Sequence, residues 1–177
     1  VASKCVVLGN RRIEGSVSGF PTIATGVRCD DGGCNRIAKN VITGRGGLTS
    51  YGVWLGSTGT FVDANEIRGG CGGVVTGLRA EDAYARVQNN RIFGYTGQDC
   101  GVGGGNGNPT ESYGLRALVA AGAHELDVHS NDIDAGGAAA AGSACSGRAV
   151  ALGLTPQAVI GQQGIFRNNI FRAGTCG

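Results

Sequence analysis

The chain has 177 residues, a formal charge of +2 and 41% hydrophobic residues. These values point to one domain with a buried core, and they exclude simple disorder and a strong general attraction to nucleic acid. Glycine is the outlier, with 35 residues against 3 prolines and no Gly-x-y period, which excludes collagen and requires many tight turns.

Taken in chain order, one short pattern returns six times. The segments are "LGNRRIEG" around Ile13, "IAKNVITG" around Ile42, "VDANEIRG" around Ile67, "VQNNRIFG" around Ile92, "VHSNDIDA" around Ile133 and "IFRNNIFR" around Ile170. Asn stands two residues before the isoleucine in the last five, at Asn40, Asn65, Asn90, Asn131 and Asn168, and Arg11 takes that place in the first. Three residues earlier each copy is aliphatic, at Leu8, Ile37, Val62, Val87, Val128 and Ile165. Between these copies lies a second motif, a Gly followed by an alternating strand: "TGVRC", "YGVWL", "TGLRA", "YGLRAL" and "SGRAVAL".

Successive isoleucines are 29, 25, 25, 41 and 37 residues apart, so the base period is about 25, lengthened late in the chain by two loops. These loops, 94–114 and 135–147, are expected to protrude together on one side. All segments are short, alternating and Gly-bounded, which predicts strands and no helix. None holds enough apolar residues to close a core alone, so neighbours must stack. The period does not follow the multiples of six of a hexapeptide helix, and no copy has the L-x-x-L-x-L of a leucine-rich repeat. The pattern resembles the right-handed parallel β-helix of the pectin-lyase-like superfamily, and more closely the secreted bacterial proteins built from "N-x-I" β-helix repeats. The resemblance covers almost the whole chain and implies an all-β solenoid of about six coils in a single domain, 1–177. It implies little about activity, because one fold hosts many functions.

Within that frame each Asn has a structural task. It sits at a sharp corner between two strands, where left-handed backbone angles are tolerated, and its amide can bond to its equivalents about 4.8 Å away along a ladder. The seven cysteines fit the same frame. Cys71, Cys100, Cys145 and Cys176 follow the isoleucine motif, so Cys71–Cys100 and Cys145–Cys176 are expected as staples between coils. Cys29 and Cys34 form a local clip, and Cys5 is left free. Disulfides place the chain in a secreted, periplasmic or cell-surface setting. No run of 18 apolar residues provides a membrane span. The start at Val1 and the lack of methionine fit a processed or truncated product, including a fragment of a longer solenoid.

Outward positions must be considered as columns. After the inward Val27, Val53, Leu78 and Leu115 come Arg28, Trp54, Arg79 and Arg116, with Arg148 in the fifth strand. Guanidinium forks beside an aromatic platform suit an extended acidic polysaccharide, whereas a solvated charged face is the plainer reading. A second patch collects Asp63, Arg86, Gln88, Asp127 and His129, whose carboxylates, guanidinium and imidazole are the groups a polysaccharide lyase or glycoside hydrolase recruits. Arg86 beside Asp127 is equally an ordinary ion pair. The H-G and R-I-K elements of polygalacturonase-like members are missing, and His124 and His129, five apart, cannot share a metal. No metal or cofactor is therefore expected. Neither end shows an amphipathic capping helix, so open strand edges are expected to stack end to end into a homo-oligomer or filament. The expectation for function is a non-catalytic structural or adhesive protein, with an acidic polysaccharide as ligand.

Overall fold

The computed structural model describes residues 5–15, 21–30, 34–56, 59–81, 84–97, 109–119, 125–136, 148–156 and 163–174. All regular structure among them is β-strand, and the chain passes repeatedly through three positions in the same order. The first circuit is β1 (Cys5–Leu8), β2 (Ile13–Glu14) and β3 (Ile23–Cys29); the second is β4 (Cys34–Ala38), β5 (Val41–Thr43) and β6 (Gly47–Gly56). The third is β7 (Thr60–Asp63), β8 (Glu66–Gly70) and β9 (Gly72–Glu81). The fourth is β10 (Ala85–Gln88), β11 (Arg91–Tyr95) and β12 (Glu111–Val119), and the fifth is β13 (Glu125–His129), β14 (Asp132–Gly136) and β15 (Arg148–Pro156). A sixth contributes β16 (Gln163–Arg167) and β17 (Ile170–Arg172).

Every third strand pairs in parallel. The result is two six-stranded sheets, β1-β4-β7-β10-β13-β16 and β2-β5-β8-β11-β14-β17, and a five-stranded sheet, β3-β6-β9-β12-β15. This arrangement is consistent with a parallel β-helix. The core lies between the sheets and is made of stacked equivalents. Ile37, Val62, Val87 and Val128 come from the first sheet, Ile42, Ile67, Ile92 and Ile133 from the second, and Val53, Leu78 and Leu115 from the third; all are fully buried.

The corner between the first two sheets holds a ladder of side-chain amides. Asn65 Oδ1 accepts from the backbone N–H and the Nδ2 of Asn40, both at 3.0 Å. Asn90 does the same for Asn65, both at 2.9 Å, and Asn131 for Asn90, at 2.9 and 3.0 Å. Each Nδ2 also donates backward, from Asn65 to the Ile37 carbonyl (2.9 Å), from Asn90 to Val62 (3.0 Å) and from Asn131 to Val87 (2.9 Å). One buried amide thus ties neighbouring circuits together, and no polar atom of the ladder is left to compete with the core.

Three expectations need correction here. The left-handed residue of the corner is the one before the Asn, at Lys39, Ala64, Asn89, Ser130 and Asn168 (φ 53–58°), with Gly9 at 69° in the first circuit. The Asn is freed from the backbone bend and can point inward. Next, the last rung is Asn169 rather than Asn168: Asn131 donates to Asn169 Oδ1 from both its backbone and its side chain at 3.0 Å. The sixth motif is therefore one residue out of the expected phase, with Phe166 opposite Val128 and Phe171 opposite Ile133, while Ile165 and Ile170 are exposed. Two adjacent asparagines made the phase ambiguous in one dimension, and hydrogen bonding to Asn131 decides it. Finally, the first circuit has a rung at Asn10, which donates to Asn40 Oδ1, and Val7 rather than Leu8 lies opposite Ile37. One extra residue between Asn10 and Ile13 hides this rung from a fixed spacing.

A second constraint joins the two sequence motifs. At Gly26, Gly52, Gly77 and Gly114 in the third sheet, an added Cβ would lie 2.7 Å from the Cγ2 of Ile42, Ile67, Ile92 and Ile133 respectively. The glycine of one circuit makes room for the isoleucine of the next. Gly52 and Val53 both face inward as a result, so Tyr51 and Trp54 share the outer side of the strand with their ring centres 5.3 Å apart, Tyr51 being buried there beneath Arg79. The Cys29–Cys34 disulfide closes the passage from β3 to β4, both cysteines are buried, and Cys5 is a free, exposed thiol. Cys71 is buried and disulfide-bonded. Cys100, Cys145 and Cys176, the remaining members of the expected staples, lie outside the described residues, as do most of the two long loops.

Replacing Asn90 with Ala leaves the two donors of Asn65 buried and unpaired. The expected loss is about 3 kcal/mol, or roughly 6–12 °C in melting temperature. Asn169→Ala is expected to lower the melting temperature, whereas Asn168→Gly leaves it near that of the parent because Gly favours the left-handed angle. Circular dichroism melts of the three variants check both the ladder and its phase.

Candidate functional site

The outward column of the third sheet assembles in register. Arg28 pairs with Trp54, Trp54 with Arg79, and Arg79 with Arg116 on successive strands. The next residue in the column is Gly153, whereas Arg148 lies opposite Glu111, so Arg148 does not extend the column as expected. Arg148 stands five residues earlier on β15 because the Gly of "SGRAVAL" is not the equivalent of Gly114; Ala151 is.

The guanidiniums lie on aromatic rings. Arg28 is 4.1 Å and Arg79 5.1 Å from the Trp54 ring centre; Arg79 is 5.0 Å from Tyr51 and Arg116 4.8 Å from Tyr113. Such contacts contribute on the order of 0.5–2 kcal/mol each. The tyrosines were not among the expected site residues, because strict alternation would place Tyr51 and Trp54 on opposite faces. The signal was present in "SYGVW" and "SYGLR", where the inward Gly brings the residue before it onto the outer face. Thr76, aligned with Tyr51 and Tyr113, has a buried hydroxyl with no hydrogen-bond partner among the described residues.

Acidic side chains already engage part of this column. Arg28 Nε donates to Asp30 Oδ2 at 2.6 Å, Arg79 donates to Glu81 and to the Tyr51 hydroxyl, and Trp54 Nε1 donates to Glu81 Oε2 at 2.9 Å. Arg79 is thus held in place, while Arg28 keeps half of its surface in solvent. Arg116 has no carboxylate partner among the described residues. The column is therefore more ordered and less free than a bare row of arginines.

Asp63, Arg86, Asp127 and His129 lie on the outer face of the first sheet, but as separate pairs. Arg86 Nε and Arg167 both reach Asp127 Oδ2 at 3.3 Å. Asp63 receives Arg36 at 3.7 Å, Gln88 at 3.3 Å and Asn89 at 3.0 Å. His129 lies opposite Gln88 and has its Nδ1 3.5 Å from the Ser130 hydroxyl. It makes no hydrogen bond or ion pair with either aspartate, so the four groups do not converge on one reacting point. His124 lies outside the described residues. Among the described residues no three His, Cys, Asp or Glu side chains gather as a metal set, and no helix is long and apolar enough to cross a membrane.

Burial and the hydrogen bond to Glu111 (3.0 Å) raise the Tyr113 phenol above the ordinary tyrosine value, against the weaker pull of Arg116 and Arg148. A raised folded pKa means that the stability it contributes is present below the unfolded value near 10 and is lost as pH rises through the folded value. Unfolding free energy is therefore expected to fall on the alkaline side of pH 10, less steeply in Tyr113→Phe. Denaturant melts across that range measure the difference.

No protein-family model, curated protein or solved structure matches this chain.

Proposed function

We propose that the chain is a right-handed parallel β-helix serving as a non-catalytic extracellular or cell-surface scaffold, and that the outer face of its third sheet binds an acidic polysaccharide. The handedness follows from the strong preference of parallel crossovers in twisted sheets, and the setting from the buried Cys29–Cys34 disulfide. The observation that carries the binding reading is the column itself: Arg28, Trp54, Arg79 and Arg116 on four adjacent strands, with guanidiniums stacked on aromatic rings.

Stacking supports binding because it orients each guanidinium before a ligand arrives: Arg79 is held by Glu81 and Tyr51, while Arg116 and the part of Arg28 not engaged by Asp30 are available to grip a carboxylate or sulfate. Strand spacing sets the arginines about 5 or 10 Å apart along the column, a regular array suited to a regularly charged polymer. Asp30 and Glu81 compete with that polymer, so its binding should be salt-sensitive. The carboxylate pairs on the first sheet are neutralised rung by rung, which favours a binding surface over a pair of reacting acids.

Isothermal titration with polygalacturonate and with heparin at low and physiological salt tests this. Arg116→Ala is expected to weaken binding about tenfold, the effect of losing one charge-assisted pair, and Trp54→Ala to weaken it by releasing Arg28 and Arg79. No binding by either polymer, or equal binding by the variants, overturns the reading. Appearance of unsaturated product or new reducing ends would replace it with a lyase or hydrolase.

A further inference from the structure

The first sheet carries a groove that the acidic-ligand reading does not use. Arg36, Phe61, Arg86 and Asp127 form one outward row across β4, β7, β10 and β13. With Asn35, Thr60 and Tyr84, Phe61, Arg86 and Asp127 line a groove of about 380 Å³. Tyr84, just before β10, is 56% exposed although aromatic. Its ring edge lies over the backbone at Gly59, where an added Cβ would stand 3.4 Å from Cδ1.

Asp127 is the unusual member, because only 7% of it is exposed. Its Oδ2 is shared by Arg86 and Arg167, each at 3.3 Å, yet its Oδ1 is buried with no hydrogen-bond donor among the described residues. A buried carboxylate oxygen without a donor costs on the order of 1–3 kcal/mol, more when charged, so a donor is the first requirement on any ligand here. Arg36, Arg86 and Arg167 on the same face disfavour a cation in that role. An ionised carboxylate or sulfate cannot itself donate to this oxygen and would bring a second negative charge beside it. Phe61 and Tyr84 ask for an apolar face. A hydroxyl-bearing ring with an apolar side and no charge meets all of these conditions.

We propose that this groove binds a neutral sugar unit, a pyranose of an uncharged glycan, with Tyr84 and Phe61 against its C–H face and one hydroxyl donating to Asp127. The site differs from the third-sheet column in sheet, residues and ligand charge. Arg86 is the more exposed partner of the Asp127 pair, its side chain being 59% exposed, so it can shift as the hydroxyl enters without disturbing the strand.

The test is an NMR titration of the full chain with uncharged disaccharides (cellobiose, maltose, mannobiose, xylobiose and chitobiose) up to millimolar concentrations. At least one is expected to shift amides of β7, β10 and β13 selectively. Tyr84→Ala is expected to weaken that sugar about tenfold, in line with loss of an aromatic anchor, and Tyr84→Phe to retain binding. Both replace an exposed side chain, so an unchanged melting temperature shows that the fold is intact. Trp54→Ala is expected to leave sugar binding unchanged, and Tyr84→Ala to leave polygalacturonate and heparin binding unchanged, which separates this site from the column. The proposal is overturned if no neutral sugar shifts the groove, if Tyr84→Ala binds as the parent does, or if galacturonate oligomers occupy the groove as well as uncharged ones.

Discussion

A buried amide that bonds to its own equivalents one strand spacing away is the interaction on which the rest of this molecule depends. In water an Asn side chain has no reason to leave the surface. Here its oxygen accepts two bonds from one neighbouring circuit, and its nitrogen donates to a main-chain carbonyl and to the next amide. Those bonds exist only when successive circuits are aligned to within a fraction of an ångström. The ladder therefore specifies register as well as stability, as buried polar groups do when every member is satisfied. Each corner also turns through a left-handed residue immediately before the amide, which points the Asn into the interior.

From that alignment the other regularities follow. With the first two sheets in phase, each isoleucine after the Asn reaches across to the third sheet, where only a glycine leaves room for its Cγ2. The two motifs of the repeat are halves of one contact between neighbouring circuits. The inward glycine then offsets the alternation of the third sheet and brings Tyr51 and Tyr113 onto the face that carries Trp54 and the arginines. A packing requirement in the core thus composes the outer surface.

The outer surface shows how such stacking treats charge. Equivalent positions recur every strand spacing, so like charges would repel along a column. Arginines instead lie against aromatic rings, as along the third sheet, or share a carboxylate, as Arg86 and Arg167 share Asp127 on the first. Exposed ion pairs of this kind add little stability. They prevent repulsion and hold side chains in fixed orientations. Among the described residues the compensation is incomplete at Arg116 on one face and at the Asp127 oxygen on the other.

The sequence alone determined the period, the all-strand character, the inward positions of the four central motifs, the Cys29–Cys34 clip and the column of Arg28, Trp54, Arg79 and Arg116. All of these are local or strictly periodic, and stacking copies a local pattern faithfully from one circuit to the next. Tertiary structure alone decided the phase of the first and last circuits, where Asn10 and Asn169 take the rungs that spacing assigned to Arg11 and Asn168. One inserted residue and one doubled asparagine are invisible to a fixed period, but a hydrogen bond to the adjacent circuit distinguishes them. It also decided that the tyrosines join the arginine column, that Arg148 leaves it, and that Asp127 is buried beside an exposed Tyr84. Each of these depends on which atoms meet across circuits, and distance along the chain carries no record of that.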